Sequence, residues 1–514
     1  MNRRNVLGVF GLSALGLTSF GGLLFPNRFG QTGELLRSRA QLPRPYTVPL
    51  LIPPIARPVR TDATTDYYEI VQRPADAPIL PALRTPIFGY DGIFPGPTLM
   101  SRSGRRTVVT HQNELPVPVA VHLHGGHTPA DSDGYPTDLL LPASGWPASA
   151  NAAHDHPAGN VSVGRRDYVY PFEQRAATLW YHDHRMDFTA PQVYRGLAGF
   201  HLVSDDEEEA LPLPAADRDI PLMIVDRAFG EDGSFLYPSL DPTLGTTPGV
   251  QDAYMTGVLG DVILVNGAPW PVLEVAATRY RLRLLNASNA RRYELRLDPA
   301  RTPFVQIGSD GGLLERPIEH STVVLAPGER CDVVVDFADF PLTTEVTMRN
   351  DLGAGSTADV MRFLVARRSA DDSRIPERLS QIDPLTPANA VRTRDWHFTR
   401  APGKHSSWLI NDRKFDPTRM DAMPRLGEIE IWRFTTDLHH PIHLHLNQFQ
   451  VISRRGLKPA PSDAGWKDTV DILPSETVAV AVRFTDYTGH YLLHCHNLEH
   501  EDMAMMAAFH TTNQ

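Results

Sequence analysis

Cysteine is almost missing from this 514-residue chain, and Cys331 and Cys495 are the only two. Cys495 stands between two histidines, which points to metal binding and not to a disulfide. Positive charge is also in deficit. There are 49 Lys and Arg against 60 Asp and Glu, a net charge of −11, which excludes nucleic-acid binding as a main role. No long helical period runs through the sequence. Instead, 45 prolines and 37 glycines are spread along it, a density that breaks helices and favours short strands joined by turns. Apolar content is ordinary for a globular protein, so disorder is excluded over most of the length. A chain this long exceeds one hydrophobic core and suits three domains.

The N-terminus has the pattern of an export signal. Arg3 and Arg4 precede an uncharged apolar run from Val6 to Phe25. The segment Asn2–Leu7 resembles a twin-arginine signal, the route taken by proteins exported already folded. This predicts a periplasmic or extracellular protein. The run is long enough to span a bilayer, so a membrane anchor is the alternative if it stays uncleaved. Residues 1–40 are therefore set apart from the fold as a leader.

Beyond Tyr46, short apolar runs alternate with Gly and Pro turns. Thr107–His111, Val119–Leu123, Asp167–Phe172, Thr178–His182 and Arg330–Phe337 read as strands. Polar breaks separate three strand-rich blocks. The predicted organisation is a first domain over 41–204, a linker over 205–219, a second domain over 220–368, a linker over 369–394 and a third domain over 395–514. The fold class is all-β, with three β-sandwiches.

Histidine carries the chemical signal. Of 21 histidines, ten fall in four tight motifs: His122/His124, His182/His184, His440/His443/His445 and His494/His496/His500. The first and third blocks each hold an early and a late His-x-His, as distant repeats would. The second block holds none and reads as a spacer. Side chains at i and i+2 share one face of a strand, so each pair aims two imidazoles at one place. Imidazole and thiolate both suit copper. In His494-Cys495-His496 the thiolate faces away from its two neighbours, so one metal on Cys495 is joined through a few bonds to metals on the histidines. A copper on Cys495 needs two more imidazoles and a weak axial donor. His440 and His500 are the histidines left outside the pairs, and Met503, Met505 and Met506 are the candidate axial donors.

The segments His440–His445 and His494–Met505 resemble the multicopper oxidases, within them the bacterial spore-coat laccase, phenoxazinone synthase and bilirubin oxidase group. The similarity extends through His122–Pro136, Leu179–His184, Val193–Phe200, Gln306–Leu314, Gly465–Val470 and His494–Phe509. The resemblance implies three cupredoxin-like Greek-key domains and four coppers. It assigns His440, Cys495 and His500 to a type 1 copper with Met505 axial, and His122 and His443 to a type 2 copper. It gives His124, His182, His184, His445, His494 and His496 to a type 3 pair. It also implicates Asp133 and Glu501 as proton donors during O₂ reduction. The full ligand set argues against a relative that kept the fold and lost the metals.

The expected activity is laccase-like: one-electron oxidation of phenols or aromatic amines coupled to four-electron reduction of O₂ to water by a monomer. Bilirubin oxidase is the first alternative, weakened because Leu438 stands where the fungal enzymes carry tryptophan. A cuprous oxidase is the second, weakened because only 12 methionines are present and no methionine-rich insert is visible. His154 and His156 form a fifth pair in a Pro/Gly-rich loop and are read as solvated. His127 and His439 adjoin the motifs without a place among the ligands, and His439 is a candidate to line the donor pocket. Cys331 is read as a small buried apolar residue.

Overall fold

The computed structural model describes residues 31–147, 159–401 and 407–513. The leader residues 1–30 and the His154/His156 pair lie outside these.

Three β-sandwiches follow one another, and all three repeat one strand order. In the first, one sheet runs Gly96–Arg102, Ala198–Ser204, Ala177–Asp183, Val121–His124. In the third, the matching sheet runs Met420–Ala422, Met506–Thr511, Gly489–Cys495, His440–Leu444. In the middle unit it runs Val272–Ala276, Asp359–Arg367, Glu345–Asn350, Tyr293–Asp298. Each opens on a parallel pair and continues through two antiparallel ones. A parallel edge pair needs a long crossover connection, which gives the Greek-key character of these cupredoxin-like sandwiches.

The strands form where β-branched and aromatic residues alternate or run together. Thr477–Arg483 is Val/Ala-rich and almost wholly buried, because it is flanked on both edges and faces the core. Trp180, Trp270, Trp408 and Trp432 are fully buried. A side chain of this size removes roughly 150–250 Å² from water, an upper estimate of about 4–6 kcal/mol each by area. The largest core cluster belongs to the middle sandwich but includes Trp180 and Phe200 of the first, so these two units share packing.

Several boundaries differ from those the sequence suggests. Gln31 donates to Arg292 O, and Glu34–Leu35 pairs in parallel with Val258–Leu259, so 31–40 packs on the middle sandwich instead of standing apart. The strand Ala390–Arg400 opens inside the stretch read as a linker, because its parallel partner Ile429–Thr436 extends to meet it. Val119 makes only an isolated bridge to Leu140, and Phe172 leaves its strand with φ +54°. The stretch 205–219 carries a short helix, Asp206–Glu209, capped by Asp205. Among the described residues no helix is long and apolar enough to cross a membrane.

Candidate metal centre

The four His-x-His pairs sit at the C-terminal ends of corresponding strands. His122 lies opposite His182 in the first sandwich, and His443 lies opposite His494 in the third. Matching registers in the two repeats put eight imidazoles face to face across the seam between the domains. Rings from opposite domains stack, His122 on His445 at 3.9 Å and His124 on His443 at 3.6 Å between centroids. All eight are buried.

Five of these rings are hydrogen-bonded in the same way. His122 Nδ1 donates to Asp133 O (2.6 Å), His443 Nδ1 to Asp468 O (2.9 Å), His445 Nδ1 to the Asp133 carboxylate (2.7 Å), His182 Nδ1 to Asp183 O (2.8 Å) and His494 Nδ1 to Cys495 O (3.2 Å). Their Nε2 atoms are thereby left as lone pairs, and they converge. His122 Nε2 and His443 Nε2 are 3.4 Å apart, His445 Nε2 and His494 Nε2 3.2 Å, and His184 Nε2 and His494 Nε2 3.4 Å. His182 Nε2, His124 Nδ1 and both nitrogens of His496 are buried with no partner. Burial, reinforced by neighbouring imidazoles, holds His122, His182, His445, His494 and His496 well below the usual histidine range, and His184 is pushed down to about 4. Neutral, buried, inward-facing lone pairs are costly unless a cation satisfies them. The donor set therefore fits metal, and all-imidazole ligation suits copper.

A second group lies on the other side of Cys495. Cys495 Sγ is 3.3 Å from His440 Nδ1 and 3.6 Å from His500 Nδ1, and those two nitrogens are 3.2 Å apart. Here the outer nitrogens are tied: His440 Nε2 to the Asp437 carboxylate (3.2 Å) and His500 Nε2 to Thr256 O (3.1 Å). Trp408 stacks on His500 at 3.6 Å and donates its indole N–H to Met255 O. The Cys495 sulfur accepts from Asn497 N (3.4 Å). Burial pushes its thiol up, which a bound cation reverses. Met505 is fully buried in the same core cluster as Cys495, and its carbonyl accepts from Cys495 N. Met506 packs on the opposite face with Tyr135 and Met186, while Met503 is only partly buried. Three buried triads of the seam, each drawing on His122, His445 or both, and the triad His440/Cys495/His500 have ligand atoms close enough to share an ion.

Asp133 and Glu501 are both buried against these imidazoles. Asp133 reaches His445 Nδ1, and Glu501 lies 3.1 Å from His494 Nδ1 and 3.4 Å from His184 Nδ1. Burial raises both carboxyls above their ordinary values, opposed for Glu501 by His184. His127 bonds Leu446 O and Asp486, outside the ligand groups. His439 is buried on Asp471, which is itself bonded to Arg292, so it lines no open donor pocket. Cys331 is buried in the middle sandwich, as expected. Three contributors escaped the sequence reading: Asp437, Asp468 and Thr469. The last two stand in the Gly465–Val470 motif.

Repeated sandwiches that hold a thiolate–imidazole site and an eight-imidazole cluster, joined through the strand that ends at Cys495, define a copper protein built to move electrons between two centres. Comparison with known proteins gives the family. Multicopper oxidase models match residues 74–208 and 382–514. A laccase from Bacillus stratosphericus is 38% identical over 89% of this chain and 97% of its own. A bilirubin oxidase from Albifimbria verrucaria is 35% identical over 95% of this chain and 85% of its own. The crystal structure of a multi-copper oxidase from Pediococcus acidilactici superposes with a TM-score of 0.79 at 30% identity, covering 93% of each chain. The chain belongs to the multicopper oxidase family, and it is a laccase-like copper oxidoreductase that uses O₂.

Proposed function

We propose that the protein holds four coppers and takes single electrons from phenols or aromatic amines. In this reading His440, Cys495, His500 and Met505 would hold the type 1 copper. His122 and His443 hold the type 2 copper, and His124, His182, His184, His445, His494 and His496 hold the type 3 pair. Copper bound at these residues supplies the one-electron redox chemistry and the reduction of O₂.

The observation that carries the reading is the strand end at Cys495. Its sulfur faces His440 and His500, while His494 and His496 on either side face the cluster across the seam. One tripeptide thus links the two ligand groups covalently. The protein's other contributions are positional. Backbone carbonyls fix the tautomers of His122, His182, His443 and His494, and burial excludes bulk water from the cluster. Asp133 and Glu501 are buried carboxyls in contact with those rings and, among the described residues, free of any arginine clamp, and we assign proton delivery to them. A donor meets the type 1 group at its outer edge. There Asp437, about a third exposed, holds His440, and Thr256 O holds His500. We also assign the protein to the periplasm or exterior, on the Asn2–Leu7 pattern.

Purified protein is expected to be blue and to hold about four coppers per chain; a colourless protein with one copper or none overturns the reading. Oxygen uptake with 2,6-dimethoxyphenol, bilirubin, an o-aminophenol and Cu(I) separates the donor classes. The phenol and the aminophenol are expected to turn over fastest. A strong preference for bilirubin or Cu(I) transfers the assignment to the corresponding oxidase.

A further inference from the structure

One cluster imidazole is tied the opposite way from the five that bond through Nδ1. His124 is tied through Nε2, which lies 3.0 Å from Asp468 Oδ1 and 3.0 Å from Thr469 Oγ1, while its Nδ1 is buried and unpartnered. The direction of these bonds can be settled. Thr469 gives its one hydroxyl proton to Asp468 Oδ1 (2.9 Å). Its oxygen can then only accept from the imidazoles beside it, His124 Nε2 and His443 Nδ1 (3.2 Å).

Asp468 is clamped in turn by Arg330, which comes from the middle sandwich. Arg330 is fully buried, and each of its five N–H groups has an acceptor. Nε donates to Thr178 O (2.9 Å) in the first sandwich. Nη1 donates to Gly328 O (2.9 Å) and Asp468 Oδ1 (2.7 Å), and Nη2 to Asp310 O (3.1 Å) and Asp468 Oδ2. A bidentate guanidinium keeps the carboxylate ionised and acceptor-only. His124, His443 and Asp468 are close enough to share an ion. The Asp468 oxygens, however, already accept from Arg330, Thr469 and His124, so this carboxylate orients a ligand and does not bind metal.

We propose that Arg330 and Asp468 act together as a positioning pair that fixes His124 in its Nε2–H tautomer, turning the Nδ1 lone pair toward the cluster. The middle sandwich is then more than a spacer. It contributes no ligand, but it sets the orientation of one through a guanidinium that bonds all three domains. The proposal rests on the reading of His124 as a cluster ligand.

The test uses Asp468→Asn and Arg330→Lys in the copper-loaded protein. Asn has one oxygen in place of two, so its NH₂ group faces either His124 Nε2–H or the Arg330 fork and breaks the pair either way, and Lys keeps the charge but loses the fork. Loss of such an orienting partner lowers metal affinity about 10–100-fold. Competition with a copper chelator is expected to show that loss for cluster copper in Asp468→Asn and a smaller one in Arg330→Lys. The blue band of the Cys495 site is expected to keep its intensity, reporting an intact third sandwich. Asp310→Asn is the control, since Asp310 bonds Lys467 and main-chain amides in the same network. It is expected to lower thermal stability and retain the cluster copper. Equal copper retention in Asp468→Asn and wild type, or equal loss in Asp468→Asn and Asp310→Asn, overturns the positioning role. Wild type that fails to hold cluster copper overturns the underlying reading instead.

Discussion

At the scale of single residues, Cys495 decides the chemistry. Its thiol is buried, with the Glu501 and Asp437 carboxyls nearby, an environment that disfavours the thiolate until a cation arrives. Cys495→Ser replaces a soft donor with a hard, weak one while leaving His494 and His496 on their own face of the strand. The variant is expected to lose its blue colour, its oxidase activity and one copper, with the cluster copper retained; a variant that stays blue shows the type 1 assignment to be wrong. Met505 is the axial candidate because it shares the core cluster of Cys495, whereas Met506 points into another. A thioether stabilises the oxidised metal, so Met505→Leu is expected to raise the type 1 potential in a redox titration of the blue band. An unchanged potential moves the axial role to Met503 or Met506.

At the scale of elements, a strand period of two explains what could be read in advance. Each His-x-His is local, and its geometry follows from the pleat alone. The partners that orient those rings are not local. Asp133 and His445 are separated by 312 positions, and Arg330 and Asp468 by 138. No pattern within one strand encodes such a contact, so Asp468 appeared only as part of a motif without a role. The turn before Arg330 has the same character. Gly328 sits at φ +87°, and a β-carbon there would come within 3.1 Å of both His124 and His496. Gly328→Ala therefore meets backbone strain and two ligand rings at once. Overpacking of this kind costs about 1–3 kcal/mol. The variant is expected to melt earlier and to lose cluster copper before type 1 copper, by metal analysis against the blue band. Unchanged copper would mean that the loop yields and that close approach is not what the glycine provides.

At the scale of the whole molecule, function depends on how the sandwiches are held, because the cluster lies across a domain seam. The strand repeat of the first and third units was legible from their paired motifs. The role of the middle unit was not, since its contribution is charge contacts in place of ligands. Besides the Arg330 bonds, the stretch read as a linker sends Glu208 onto Arg281 (2.9 Å) and Arg283 (3.1 Å), which also hold Asp332 and Asp219. Burial alone would raise the Glu208 carboxyl, but the two guanidinium groups outweigh it and bring it down to about 2. A carboxyl depressed in the folded state contributes stability that is complete above its unfolded value of 4.5 and is lost as pH falls through about 2. Removing one partner of a buried ion pair typically costs about 3–5 kcal/mol. Glu208→Gln is thus expected to unfold at lower denaturant at neutral pH. Its deficit relative to wild type is expected to hold down to about pH 5, then shrink toward zero as pH approaches 2, where wild-type Glu208 is itself protonated. Comparing the two proteins at each pH cancels the copper loss and the titration of other groups that both undergo. A deficit that does not change with pH would mean that Glu208 holds the domains through packing and not through its charge.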